Sequence, residues 1–213
     1  MKLVRTIIFA KAPQPGFAKT RLIPALGQKG AADLARQMLC RTLQAAMAAS
    51  IGPVEMCVTP ALSEATWQGI ALPSGVEITH QGAGDLGARM ARAAQQGIER
   101  GQSVLLIGTD CVEMSAALLR EAAQALLDHD AVIHGTTDGG YALLGIRQFN
   151  PILFAGMPWS TDQVANITIA RLGQLGWSVH MGQRLHDVDE PQDLKHLPDL
   201  SSNAAQMDGH KSD

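Results

Sequence analysis

The stretch Ser103–Asp110, SVLLIGTD, is a short apolar run that ends in Gly-Thr-Asp. An apolar run of this length between polar residues predicts a strand buried on both faces, as in a parallel sheet that helices cover. In open α/β sheets, ligands bind at the carboxyl ends of the strands, so Asp110 is predicted to meet a substrate or a metal ion. Asp110 could instead cap the helix that follows, but Ser115 stands directly before the helical pattern and fits that position better.

Length and composition limit the class of protein. The 213 residues are predicted to form one domain over 1–198, followed by a polar, disordered tail over 199–213. With 46% hydrophobic and 17% charged residues, the chain has the composition of a soluble globular protein. The net charge of -3 argues against a nucleic-acid partner, which would require a basic face.

Cysteines and apolar runs indicate the compartment. Cys40, Cys57 and Cys111 are odd in number and form no Cys-x-x-Cys pair, so neither a disulfide framework nor a zinc knuckle is predicted. The apolar run near the start, TIIFA, is too short for a signal peptide or a membrane span. We therefore expect a cytoplasmic protein with no membrane partner. The apolar stripes do not distinguish a monomer from a dimer.

A loop with three cations follows the first predicted strand, Leu3–Ala10. In AKAPQPGFAKTRL (10–22), two prolines and a glycine predict a rigid, non-helical segment that carries Lys11, Lys19 and Arg21. Cations at the end of a strand are suited to a diphosphate or triphosphate, and an arginine can bind two oxygens at once. A solvated basic loop is the structural alternative. The segment is not a P-loop, because no glycine directly precedes the lysine.

The stretch QGAGDLGARM (81–90) contains G-x-G-x-x-G, a literal match to the dinucleotide-binding fingerprint, between a predicted strand and a predicted helix. Asp110 lies near the spacing expected for a ribose-binding acid, which leaves an NAD enzyme as an alternative. The fingerprint normally follows the first strand of its sheet, whereas two further strands are predicted before this one. The glycines predict a close approach of the backbone to a neighbour, and Asp85 and Arg89 are predicted to form a charged pair on the first helical turn.

Two further segments carry acidic residues toward the predicted ligand edge. AVIHGTTDGGYALLGI (131–146) predicts two strands joined by a glycine-rich turn, and Asp138 in that turn lies beyond a strand end. In HDVDEP (186–191), the alternation places Asp187 and Asp189 on one side of an extended chain, as metal ligands would require. The structural alternatives are a plain hairpin and the acidic start of a short helix.

Hydrophobic periodicity predicts the remaining elements. Covering helices are expected at 28–49, 114–128 and 162–176, short helices after Pro60 and after Pro191, and strands at 54–59, 75–81 and 177–185. The segment 150–161 is expected to be an irregular loop, long enough to act as a lid or as a platform for an acceptor.

Six segments, taken in order, resemble one bacterial family. They are PxPGxAKTRL, QGxGDLGxRM, GTD, DGGYxLLG, PW and DVDEPxDL, and they cover roughly Thr6–Leu194. They resemble the glycosyltransferase-like proteins related to GT-A enzymes, some of which carry the name arsenosugar biosynthesis glycosyltransferase. The resemblance implies a nucleotide-diphospho-sugar transferase fold, an α/β fold with a mostly parallel sheet between helices, which also serves nucleotidyltransferases. The chain departs from the family pattern at Val112 and at His134–Thr137, and the second departure is expected to change a wall of the pocket.

The leading functional prediction is transfer of a sugar from a nucleotide-diphosphate donor to a small-molecule acceptor. An Mg²⁺ or Mn²⁺ ion would be held by Asp110 and by Asp189 or Asp187, with Asp189 favoured. Asp138 is the candidate base for the acceptor hydroxyl. The predicted phosphate-binding residues are Lys11, Lys19 and Arg21, and the predicted substrate-binding residues are Gly84, Asp85, Arg89, Gly139, Gly140, Tyr141 and Trp159.

Three alternatives remain at this point. The first is a nucleotidyltransferase that joins a nucleoside triphosphate to a phosphorylated small molecule and releases pyrophosphate. The second is a non-catalytic nucleotide-binding module, which would bind without turnover. The third is the NAD enzyme suggested by the glycine fingerprint.

Overall fold

The computed structural model describes residues 3–62, 66, 67, 70 and 72–197. The apolar run Ser103–Ile107 forms a fully buried strand, as predicted. The strands are β1 (Val4–Lys11), β2 (Val54–Thr59), β3 (Val76–His80), β4 (Ser103–Ile107), β5 (Ala131–Gly135), β6 (Tyr141–Ile146) and β7 (Val179–Met181). The α-helices are α1 (Ile23–Ala49), α2 (Leu86–Glu99), α3 (Ala116–Asp128) and α4 (Val164–Gln174). Short 3₁₀ turns lie at Thr20–Leu22, Pro151–Leu153 and Pro191–His196.

The described strands form one sheet in the order β3-β2-β1-β4-β6-β5-β7. Only β6 runs antiparallel to its neighbours, β4 and β5. The hairpin predicted over 131–146 is therefore confirmed. So is the predicted fold class, an α/β fold with a mostly parallel sheet flanked by helices. Because β6 is reversed, its first residue lies at the same edge of the sheet as the carboxyl end of β4.

Alternation along β4 builds both halves of the core. Leu105 and Ile107 pack on one face with apolar residues of α1 and α3. Val104 and Leu106 pack on the other face with residues of α2 and α4. A strand whose two faces are both covered must be apolar throughout, which explains the continuous run in the sequence.

Several element boundaries differ from the sequence predictions. The helix predicted from residue 28 begins at Ile23, and Gly27, with φ of 71°, interrupts it. The strand predicted over 177–185 is only Val179–Met181, because it pairs with β5 alone at the edge of the sheet. Ser115 caps α3 as predicted, its hydroxyl accepting a hydrogen bond from the Leu118 amide at 3.3 Å.

Some predictions fall outside the described residues. The short helix expected after Pro60 would include residues 63–65, and the predicted tail begins at 199, so neither is described. Among the residues that are described, no helix is both long and apolar enough to cross a bilayer.

Candidate active site

One cavity of about 610 Å³ opens at the carboxyl ends of β1 and β4. The reversed strand β6 brings its first residue to the same place, and the start of α4 closes the other side. Most of the site residues predicted from the sequence therefore meet here. Those that line the cavity are Lys11, Lys19, Arg21, Asp138, Gly140, Tyr141, Trp159, Asp187 and Asp189.

Lys19 connects the basic loop to the acidic residues. Its ammonium lies 2.5 Å from Asp110 Oδ1, 2.6 Å from the Val188 carbonyl oxygen and 3.5 Å from Asp189 Oδ1. The side chain is only 5% exposed, so these contacts exclude most of the solvent. The contact between Lys19 and Asp110 spans 91 residues of sequence and could not be read from local spacing.

The segment HDVDEP (186–191), called the acidic corner below, is joined to Asp110 by backbone contacts. Val188 donates its amide to the Asp110 carbonyl at 2.9 Å, and Asp187 pairs with Cys111 in an isolated antiparallel bridge. Val188 itself is fully buried, as its place between two aspartates predicts. The predicted alternation thus holds, and both Asp187 and Asp189 line the cavity.

Glu113, which the sequence analysis did not single out, supports the acidic corner through contacts with His186. Glu113 Oε1 lies 2.6 Å from His186 Nδ1, and Glu113 Oε2 accepts the His186 amide at 3.1 Å. These bonds fix the backbone one residue before Asp187. Glu113 follows the GTD segment by only three residues, which is the one signal that could have marked it.

Asp110, Asp187 and Asp189 form an acidic cluster around Lys19. Burial and like charges shift the pKa values of Asp187 and Asp189. Burial, followed by the charges of Asp110, Asp189 and Asp138, raises the pKa of Asp187 to about 8. Burial and the charge of Asp110 also raise the pKa of Asp189. By itself burial would lower the pKa of the Lys19 ammonium, but the charges and hydrogen bonds of Asp110 and Asp189 outweigh it and raise that pKa. The carboxylates of the cluster therefore repel one another, and the Lys19 ammonium offsets only part of that repulsion.

A cluster of this kind favours a further cation, and carboxylate oxygens are the ligands that Mg²⁺ and Mn²⁺ prefer. Within the described part of the chain, however, no three acidic, histidine or cysteine side chains are arranged to hold a metal ion as they stand. The donor set fits such an ion chemically. The Lys19 ammonium already contacts two of these carboxylates, at 2.5 Å from Asp110 Oδ1 and 3.5 Å from Asp189 Oδ1.

Asp138 lies in a turn that packs against the residues at the start of α4. Its Oδ1 accepts hydrogen bonds from the Thr136 hydroxyl and, at 3.1 Å, from the Gly140 amide. Gly139 has φ of 89°, and a Cβ atom there would lie 2.2 Å from the Asp162 carbonyl oxygen. The glycine that predicts a turn from sequence is thus also required by close packing.

Tyr141 and Trp159 form the apolar wall beside Asp138. Their rings meet edge to face with centroids 6.5 Å apart. The Tyr141 hydroxyl and the Trp159 indole nitrogen are buried and have no hydrogen-bond partner in the described chain. Burial raises the pKa of the Tyr141 hydroxyl well above its usual range, so it remains a neutral donor. Their predicted role in substrate binding stays a prediction.

The glycine fingerprint has structural partners. Asp85 caps α2 by accepting the Ala88 amide at 2.8 Å, and Arg89 donates to the Gly84 carbonyl and to Gln81. Asp85 and Arg89 are therefore bonded to their neighbours in the helix start and not to each other as predicted. A Cβ at Gly87 would lie 2.5 Å from the Phe154 carbonyl oxygen. These contacts account for the motif without a ligand, and among the described residues Gly84, Asp85 and Arg89 do not line the cavity.

The fingerprint also follows β3, an edge strand of the sheet, and not β1 in the middle. This position is unlike the switch point at which a dinucleotide binds between strands. The substrate-binding role of Gly84, Asp85 and Arg89 stays a prediction, and the NAD alternative loses its structural support.

The other two cations of the basic loop lie at the mouth of the cavity. Lys11 is exposed at the end of β1. Arg21 is also exposed, and its guanidinium is 3.8 Å from Glu190. Both can reach a ligand that enters, whereas Lys19 faces the carboxylates.

Three features of the cavity were not anticipated. Phe17, 66% exposed, and Leu86 bring apolar surface to the rim, and Asp162 lies at the start of α4. An aromatic residue in a Pro/Gly-rich loop is the only sequence signal for Phe17. His134, expected to alter the pocket wall, is buried instead beneath Gly182, with its Nδ1 3.1 Å from the Gln183 carbonyl oxygen.

Known proteins share this sequence pattern and this fold. The family described as an uncharacterized protein conserved in bacteria (DUF2064) matches residues 42–161. A crystal structure from Desulfovibrio desulfuricans G20, named as a candidate nucleotide-diphospho-sugar transferase, is 30% identical and superposes with a TM-score of 0.85. That match covers 96% of this chain and 90% of the other. No curated protein sequence shows significant similarity.

More distant structures share the fold alone. Rv0371c of Mycobacterium tuberculosis H37Rv, solved in complex with manganese, is 15% identical with a TM-score of 0.52 and covers 92% of this chain and 97% of its own. A CMP:2-keto-3-deoxy-manno-octonic acid synthetase complexed with CTP is 11% identical, with a TM-score of 0.54 and coverage of 91% and 96%. The family predicted from the six sequence segments is confirmed, and the 30% identical structure indicates a transferase at a coarse level. The chain belongs to the DUF2064 family of bacterial proteins and has the nucleotide-diphospho-sugar transferase fold.

Proposed function

We propose that this protein transfers a sugar from a nucleotide-diphosphate donor to a small-molecule acceptor, with a divalent metal ion at the acidic cluster. The observation that carries this proposal is one cavity that brings two environments together. Lys19 and the carboxylates of Asp187 and Asp189 line it together with Asp138, which lies beside an aromatic wall and close enough for its charge to act on Asp187. A donor diphosphate and an acceptor hydroxyl need these two environments next to each other.

The acidic cluster suits the diphosphate through a cation. Asp110 and Asp189, with Asp187 nearby, would hold Mg²⁺ or Mn²⁺, and the bound ion would stabilise the charge that develops on the leaving nucleoside diphosphate. The manganese in the Mycobacterium tuberculosis neighbour is in keeping with this choice of ion. Lys11 and Arg21 at the cavity mouth would neutralise the remaining phosphate oxygens, since both are exposed and positively charged.

Asp138 and the aromatic wall beside it suit an acceptor. Because Thr136 and Gly140 hold Oδ1 of Asp138, the carboxylate has a fixed orientation, and its second oxygen is the candidate base for an acceptor hydroxyl. Tyr141 and Trp159 would cover the apolar face of a sugar or acceptor ring, with a buried hydroxyl and indole nitrogen available as donors.

The proposal is tested with a thermal-shift panel of nucleotide-sugars and nucleoside triphosphates, each with and without Mn²⁺. A ligand that binds only the folded state raises the melting temperature. We expect a Mn²⁺-dependent shift with a nucleotide-sugar that is lost in Asp110→Asn. Asp138→Asn should keep the shift and lose turnover. An equal shift without metal would contradict the proposed metal site, and full turnover by Asp138→Asn would contradict the proposed base.

A nucleotidyltransferase is the second candidate. Three cations on one loop after β1 would serve a triphosphate as well as a diphosphate, and a neighbour of the same fold was solved with CTP. In that reaction a substrate phosphate attacks the α-phosphate and needs no base. Released pyrophosphate, in place of a nucleoside diphosphate, identifies this alternative by ³¹P NMR. Binding of donors without any turnover would instead indicate the non-catalytic module.

A further inference from the structure

The Lys19 ammonium occupies the space that a metal ion shared by Asp110 and Asp189 would need. It lies 2.5 Å from Asp110 Oδ1 and 3.5 Å from Asp189 Oδ1. An Mg²⁺ ion bound to these same two oxygens would lie about 2.1 Å from each. An ion and an ammonium that share the Asp110 oxygen would lie only roughly 4 Å apart, with three positive charges between them. The two cations therefore compete for these oxygens.

Lys19 has room to leave. Its backbone is fixed, because Ala18 and Leu22 on either side of it are buried and the Leu22 amide donates to the Lys19 carbonyl at 2.9 Å. Its backbone is also in the left-handed region, with φ of 43°, an unusual conformation for a lysine. The side chain has four rotatable bonds and lines the open cavity, so the ammonium can turn toward the solvent side while the loop stays in place.

We propose that Lys19 is a resident cation of the acidic cluster, which a divalent metal ion must displace in order to bind Asp110 and Asp189. This inference rests on the metal site of the proposed function. In the metal-free protein, Lys19 holds the carboxylates together and limits their repulsion. When the metal binds, the ammonium is released into the cavity, where a donor phosphate can accept it. Lys19 is thus a positioning residue. The affinity for the metal ion is low while the ammonium contacts the carboxylates, and it is higher when the ammonium has moved into the cavity.

The test is the affinity for Mn²⁺ alone, measured by isothermal titration calorimetry on the wild type and on Lys19→Met. Methionine keeps the length of the side chain without its charge. We expect Lys19→Met to bind Mn²⁺ at least about tenfold more tightly, because the ion no longer has to displace an ammonium held by two carboxylates. Lys11→Met is the matched control, because it removes a charge from the same cavity without touching Asp110 or Asp189; its affinity should stay within about twofold of wild type.

A second measurement does not depend on a variant that folds. The Lys19 Cε and Nζ resonances of the wild type should shift on titration with Mg²⁺, in proportion to the saturation that calorimetry with Mg²⁺ measures. Resonances that stay unchanged at saturation would show that the ammonium is not displaced.

The outcomes separate this inference from the proposed function. Metal binding by the wild type with equal or weaker binding by Lys19→Met would overturn the resident cation and leave the metal site standing. Absence of binding by both proteins would overturn the metal site and, with it, this inference. Binding of Mn²⁺ by Lys19→Met and not by the wild type would support a competition in which Lys19 excludes the ion completely.

Discussion

Gly139 joins the Asp138 turn to the start of α4, and its replacement tests how rigidly the site is built. Gly139 has φ of 89°, and a Cβ at this position would lie 2.2 Å from the Asp162 carbonyl oxygen and 2.4 Å from the Asp162 Cα atom. The left-handed conformation costs a non-glycine residue about 1–2 kcal/mol. Overpacking against fixed backbone costs about 1–3 kcal/mol more. We expect Gly139→Ala to lower the free energy of unfolding by about 2–5 kcal/mol, or the melting temperature by roughly 5–15 °C.

Urea unfolding of Gly139→Ala and of a matched control measures this loss. Gly156 also has a positive φ, 56°, but a Cβ at Gly156 would meet no atom within 4 Å, so Gly156→Ala should show only the conformational cost of about 1–2 kcal/mol. The difference between the two variants isolates the contact with Asp162. Equal destabilisation of both variants would refute the packing argument, since the steric part would then be absent.

Three further predictions concern single side chains. Because the pKa of Asp187 is raised to about 8, its contribution to stability is fully present below its unfolded pKa, near 4, and is lost as the pH rises to about 8. The melting temperature of Asp187→Asn in EDTA, minus that of the wild type, should therefore increase between pH 4 and 8 and stay constant above pH 8. A difference that does not change with pH would contradict the raised pKa of Asp187. Asp85→Ala should lose about 1 kcal/mol of stability as α2 loses its cap, with unchanged donor affinity in calorimetry; weaker donor binding would support the predicted substrate role of Asp85. Tyr141→Phe should not destabilise the free protein, because its buried hydroxyl has no partner among the described residues, but should raise the KM for the acceptor; an unchanged KM would remove the hydroxyl from the binding site.

The fold could be predicted where the pattern of apolar and polar residues in the sequence reflects which side chains are buried. The apolar run of β4 is covered on both faces, so the place of Asp110 beyond the carboxyl end of a buried strand could be predicted from the pattern alone. The alternation around Val188 likewise revealed which side chains of the acidic corner face the cavity.

The site was less predictable where it depends on contacts between distant segments. That Lys19 is buried against Asp110 follows from how the β1 loop folds over the end of β4, and no local spacing encodes it. The glycine fingerprint left two interpretations open for a related reason. Sequence shows that glycine is required, but not whether a ligand or a neighbour such as Phe154 approaches it.

The most direct test of the central claim is the position of Mn²⁺ in a crystal of the protein grown with Mn²⁺ and a nucleoside diphosphate. Anomalous scattering at the manganese edge locates the ion by its element. We predict one peak that contacts both Asp110 and Asp189 and the diphosphate, with the Lys19 ammonium withdrawn from between the two carboxylates. A bound nucleotide with no manganese at these residues, or with Lys19 still between them, would contradict the proposed metal site and the displacement of Lys19.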